Sequence, residues 1–126
     1  MAEALLVNID IPVGWEVINA LDAAGLDVNV ALWAWLSAYE DWRLLIASRK
    51  LDKEELGRRY LVVNAATDAA GIGIRRAPDI MILKMADSLV RDLRARARKH
   101  GNIDGSRLSG KFGDRWIRDS YIYRVK

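Results

Sequence analysis

The chain has no cysteine, one histidine, one phenylalanine, two prolines and no apolar run of membrane-spanning length in its 126 residues. Each shortage removes a class of explanation. Without cysteine there is no disulfide framework, no thiol nucleophile and no thiolate-bound zinc or iron–sulfur centre, which leaves packing to supply stability and fits a reducing compartment. A lone histidine has no second imidazole with which to build a typical zinc site. No stretch approaches the roughly 18 apolar residues that a membrane span requires. The early apolar run Ala4 to Ile11 is broken by Asn8 and Asp10 and follows no basic region, so no signal peptide is expected. The expectation is a cytoplasmic protein without a membrane partner.

What is present is apolar mass and an uneven distribution of charge. At 52% hydrophobic, residues 1–126 carry enough apolar surface for one continuous core and too little for two, so a single domain is expected. The net charge of +3 hides a gradient. Residues 1–51 hold three basic side chains (Arg43, Arg49, Lys50) against seven acidic ones, whereas residues 88–126 hold eleven Lys/Arg against four Asp. The excess positive charge therefore lies in the last third, where it forms either a face for polyanions or a counterpart to the acidic half.

Periodicity gives the coarse order of elements. Leu5, Val7, Ile9 and Ile11 alternate as a short first strand, and Pro12 then opens a helix to Ala24, closed by Gly25. Residues 28–48 fit two patterns. Val28, Val30, Leu32, Ala34 and Leu36 alternate, as do Trp42, Leu44 and Ile46, with Ser37–Asp41 as a hairpin loop; yet Leu32, Trp35, Leu36, Tyr39, Trp42 and Ile46 also make a helical stripe. The β-branched start, the tryptophans and the polar break favour the hairpin. Asp52 and Glu55 have the spacing of a capping box, ahead of a helix with Leu56, Tyr60, Val63, Thr67 and Ala70 inward and Gly71 at its end. Ile80–Leu83 reads as a buried central strand. Asp87 or Ser88 caps a helix that carries Leu89, Val90, Leu93 and Ala97 inward and stops at Gly101; residues 101–115 read as loop or irregular strand, and 120–125 as a last strand with Tyr121, Tyr123 and Val125 on one face. The fold class expected is α+β, a mainly antiparallel sheet with helices packed on one face.

The runs Ala31-Leu-Trp33, Asp41-Trp-Arg43 and Ile46-Ala-Ser48 resemble a group of small uncharacterised bacterial proteins, a resemblance that covers most of the chain. It supports the hairpin and implies no activity.

Several motifs fall short of chemistry. Gly105-Ser-Arg-Leu-Ser-Gly110-Lys111-Phe112 departs from the phosphate-binding GxxxxGK[ST] loop where Phe112 replaces the magnesium-binding hydroxyl, and no buried strand precedes it. Gly71-Ile-Gly73 follows a helix rather than a strand and reads as a cap. His100, at a helix C-terminus, suits the dipole there. Of Glu40, Asp41, Asp79, Asp87, Asp104 and Asp114, a metal-dependent nuclease would use two with Lys84; Asp79 opens an apolar strand, but Ile82-Leu83-Lys84 lacks the acid of an (Asp/Glu)-x-Lys element. No catalytic residue, cofactor or metal site is assigned, and an enzyme is not the favoured reading.

Two surfaces remain. Trp33, Trp35, Tyr39 and Trp42 concentrate aromatic area in the hairpin and suggest a contact with a second copy or a protein partner, against a plain role in the core. Arg91, Arg94 and Arg98 share one helix face with Lys99 adjacent, and Lys111, Arg115, Arg118 and Arg124 join them if the last strand lies close. Trp116, Tyr121 or Tyr123 would then stack on unpaired bases. Asp92 interrupts that row. The leading expectation is a non-enzymatic binding or assembly protein acting through the hairpin, the alternative a nucleic-acid-binding module using the arginines, and the minor one a metal-dependent nuclease.

Overall fold

A computed structural model describes residues 10–73 and 76–126. The first strand expected from Leu5 to Ile11 falls largely outside the described residues. Its last two positions belong to a helix: Asp10 is the N-cap of α1 (Ile11–Ala23), where its carboxylate accepts from Val13 N at 2.9 Å and Pro12 occupies the first turn. Val13, Val17, Ile18 and Leu21 make its buried face. Gly25, at φ +82°, ends it in the left-handed conformation that glycine adopts without a Cβ penalty, and Leu26 N donates back to Leu21 O.

The hairpin is the observed form of residues 28–48. β1 (Val30–Leu36) pairs antiparallel with β2 (Asp41–Ala47), Trp35 lying opposite Trp42 and Trp33 opposite Leu44. The helical alternative loses because β1 is apolar on both sides, and only a strand can offer its alternate residues to two separate layers.

Between β2 and the next strand the chain makes α2 (Arg49–Asp52) and α3 (Leu56–Ala69). Here the capping box fails. Fully buried Leu51 draws residues 49–52 into a turn of helix capped by Ser48, so Asp52 ends that turn instead of opening the next helix, and its carboxylate accepts from Met85 N at 3.1 Å. Glu55 stands at the N-cap of α3 without a side-chain bond. Arg59 does the terminal work instead: buried, it donates from Nε to Leu51 O and Glu54 O at 3.0 and 2.9 Å. The inward face of α3 is accordingly Arg59, Val63, Ala66 and Thr67, with Leu56 exposed rather than buried.

β3 (Ile80–Leu83) runs parallel to β2 and is an edge strand, not the central one expected, since the sheet order is β3-β2-β1-β5-β4. Its two faces are both apolar because Ile80 and Ile82 meet α3's layer while Met81 and Leu83 meet the opposite one. Its edge is partly closed by Tyr60, whose hydroxyl accepts from Ile82 N at 3.1 Å. α4 (Ser88–His100) follows, capped by Asp87 through Leu89 N. β4 (Gly110–Phe112) and β5 (Arg115–Val125) complete the sheet, β5 lying beside β1.

The architecture is α+β with a mostly antiparallel sheet. Helices cover both faces, and here the sequence expectation of one covered face is corrected. α1 and α3 pack on Ala31, Trp33, Trp42, Leu44, Ile46 and Tyr123, whereas Leu89, Val90 and Leu93 of α4 pack on Val30, Leu32, Ala34, Leu36 and Leu45. The doubly apolar β1 demands this second layer.

Tyr123 joins β5 to α1. Its hydroxyl donates to Ile11 O at 2.7 Å and its ring meets Trp15 and Tyr121 edge-on. Burial pushes the phenol well above the ordinary tyrosine range. A group whose folded pKa exceeds its unfolded one contributes fully below the unfolded value and loses that contribution as pH rises beyond it. Stability should therefore fall above about pH 10 in the wild type. Tyr123→Phe should cost about 1 kcal/mol near neutrality for the lost hydrogen bond and show a shallower alkaline fall. Urea midpoints on either side of that pH check this, and parallel falls in the two proteins would contradict it.

Candidate functional site

The arginine row is built by the spacing of α4. A helix rises about 1.5 Å per residue, so steps of three and four place Arg91, Arg94 and Arg98 on one side, separated by about 4.5 and 6 Å along the axis. The opposite side carries Leu89, Val90 and Leu93 into the core. Ser88, Arg91, Asp92, Arg94, Ala95 and Arg98 line a depression of about 510 Å³. It is continued by one of about 300 Å³ in which Arg94 and Arg98 face Val125, at the end of the last strand, and Lys126 beyond it. Arg91 and Arg98 are exposed and form no ion pair among the described residues, and Arg94 holds only the backbone oxygen of Lys126, at 2.9 Å.

The acid that interrupts the row is already occupied. Asp92 accepts from Arg96 Nε at 2.7 Å and, with its other oxygen, from Gly113 N at 2.8 Å. Arg96 in turn lies over the Phe112 ring, 4.4 Å from its centroid, and is thereby removed from the row. The charge left facing the depression is that of three arginines. Lys99 is exposed at the end of the same helix.

The remaining basic residues do not join them. Phe112 and Ile117 pack in the layer under α4, so by strand alternation their neighbours Lys111 and Arg118 leave the sheet on its other side. Arg115 turns to the α4 cap, donating to Asp87 Oδ2 at 3.1 Å, and that hydrogen bond raises its pKa further. Arg124 is paired with Asp22 at 2.9 Å.

The aromatic set divides as well. Trp33 and Trp42 are only 5% and 7% exposed and belong to the core beneath α1 and α3. Trp35 is half-buried, edge-on to Trp42, and Tyr39 stands 49% exposed at the hairpin turn with the Arg43 guanidinium over its ring at 4.8 Å. Of the expected stacking residues Tyr123 is buried, Tyr121 is half-buried and Trp116 is 61% exposed.

No family model, curated protein or solved structure matches the chain. The site therefore rests on its own geometry.

Sequence reasoning missed the contact between the β4–β5 turn and the start of α4. Ser88 Oγ donates to Asp114 Oδ1 at 2.7 Å and accepts from Asp114 N at 3.0 Å; the first of these holds the Asp114 carboxyl below its usual range. Gly113 sits in the left-handed region at φ +61°, and a Cβ there would overlap Ser88. The Gly113-Asp114 pair was a legible signal, being a glycine-first two-residue turn between short strands. The near-miss phosphate loop is a connection in which Gly105 N donates to Ile122 O before β4 begins, with a turn and not a helix after it. Gly71, at φ +78°, closes α3, and His100 ends α4. Among the described residues no three His, Asp or Glu side chains converge; Asp79 and Lys84 flank β3, both exposed. Nor is any described helix long and apolar enough to cross a membrane.

Proposed function

We propose that the chain is a non-enzymatic binding protein that holds a polyanion, and specifically nucleic acid, along the α4 groove. The observation that carries the reading is the convergence of Arg91, Arg94 and Arg98 on one depression while Asp92, the intervening acid, is engaged by Arg96 and Gly113. Guanidinium groups free of acidic partners are available for phosphate oxygens, and such contacts position a backbone without reading its sequence. The test is fluorescence anisotropy of labelled single- and double-stranded nucleic acid with the full chain at rising salt. Binding at about 50 mM salt that is largely lost by about 200 mM is the expected result, because each phosphate contact releases counterions. Absence of binding at low salt overturns the reading.

A protein contact at the hairpin is the second reading, supported by the exposure of Tyr39 at its turn. It is weaker, since Trp33 and Trp42 are taken up by the core. A salt-resistant dimer in gel filtration with light scattering would favour it.

A further inference from the structure

A second depression, of about 500 Å³, lies between the β1–β2 turn and the β4–β5 turn, lined by Leu36, Ser37, Tyr39, Asp114, Arg115 and Trp116, together with Ala38. Its walls combine two large exposed aromatic side chains with one acid and one guanidinium. The chemistry selects among ligands. A phosphate alone has no use for Tyr39 and Trp116. A quaternary ammonium suits aromatic walls and an acid, but Arg115 lies in the pocket, Arg43 already covers one face of Tyr39 and Lys111 Nζ lies 6.0 Å from the Trp116 ring centroid, so a further cation meets three positive charges. A flat, neutral heteroaromatic ring meets no such penalty. It stacks on an aromatic face, and its amino hydrogens find Asp114 Oδ2, which has no hydrogen-bond partner among the described residues, beside the Arg115 guanidinium that Asp87 holds in place.

The pocket adjoins the arginine groove. Ser88 lines the groove, Asp114 lines the pocket, and the two are joined by the 2.7 Å hydrogen bond between their side chains. We infer that this pocket receives an unpaired nucleobase of a strand whose phosphates lie along Arg91, Arg94 and Arg98, which makes the ligand single-stranded rather than duplex. A base inside a duplex is stacked and paired and presents no free face to a pocket walled by aromatic side chains. The inference rests on the polyanion reading of the α4 groove and adds the class of nucleic acid to it.

The test compares three labelled probes of equal length, about ten nucleotides and so within the usual site size: a mixed-sequence single strand, the same backbone with its bases removed, and a duplex. Base–aromatic stacking is worth enough for the single strand to bind about 5- to 150-fold more tightly than the abasic strand. Tyr39→Ala and Trp116→Ala should each shrink that ratio while leaving abasic binding unchanged. Both residues are exposed at turns and strand ends, so the variants should fold, and circular dichroism verifies it. Equal affinity for the single and abasic strands, or a preference for the duplex, overturns the inference and leaves the groove reading standing. Failure of the wild type to bind any of the three at low salt overturns both.

Discussion

Gly14→Ala is expected to destabilise the protein by about 2 to 4 kcal/mol, although alanine is the better helix former by about 1 kcal/mol. Gly14 lies in the second turn of α1, on its buried side, and a Cβ there would overlap the hydroxyl and ring of Tyr123. Tyr123 cannot yield cheaply, because it is 1% exposed, bonded to Ile11 O and wedged edge-on against Trp15 and Tyr121. Either α1 lifts from the sheet or the tyrosine gives up its hydrogen bond. The same substitution at Gly57, within α3 and with nothing near its missing side chain, should stabilise by about 0.5 to 1 kcal/mol. Urea midpoints of the two variants should therefore move in opposite directions. Coupling with Tyr123→Phe localises the cause: removing the hydroxyl takes away the nearest clashing atom, so the double variant should be less destabilised than the two single changes added together. A Gly14→Ala protein as stable as the wild type would mean that α1 does not sit on Tyr123.

Gly14 also marks the limit of what could be read from the sequence. A glycine inside a helical pattern registers there as a small local cost, and the residue that requires it is more than one hundred positions away. Signals within one element were legible. The alternation of Val30–Leu36 and Trp42–Ile46 led to the hairpin, Asp87 to the cap of α4, and Gly25 and Gly101 to helix ends. Signals between elements were not. The apolar run Ile80–Leu83 reports that both faces of β3 are covered, which is true, but whether a second strand bonds to its far edge is a matter of backbone pairing that side-chain hydropathy does not encode. Asp52 and Glu55 satisfied a local capping pattern until Leu51 was buried and Met85 N came within reach of the Asp52 carboxylate. The same division runs through the site. Helical spacing alone grouped Arg91, Arg94 and Arg98. Which tryptophans are covered depended on where α1 and α3 lie, and although Asp92 pairs with Arg96 at a spacing local to α4, the engagement of its second oxygen depended on a turn that docks from β4 and β5.

Replacing Arg91, Arg94 and Arg98 together by alanine is expected to remove most of the salt-dependent binding proposed for the groove. Each phosphate contact adds about 0.7 to 0.9 to the slope of log affinity against log salt, so three contacts should make the wild type lose about 20- to 40-fold between 50 and 200 mM salt. The triple variant should show a slope smaller by about 2 to 3, with weak residual affinity at low salt. Its fold should survive. Arg91 and Arg98 have no ion-pair partner to lose among the described residues, Arg94 loses one exposed hydrogen bond to Lys126 O, and alanine is a stronger helix former than arginine. Two controls separate local charge from net charge. Arg107→Ala removes a positive charge already paired with Asp119 and should leave the slope unchanged. Lysine at all three positions keeps the charge while giving up the bidentate fork, so it should retain the slope and lose part of the affinity. If the alanine variant keeps the wild-type slope, the phosphates lie elsewhere. Lys111 and Arg118, on the far side of the sheet and free of ion pairs among the described residues, would then be the next to replace, and the base pocket would have to be reconsidered with them, since its strand would no longer run past Ser88.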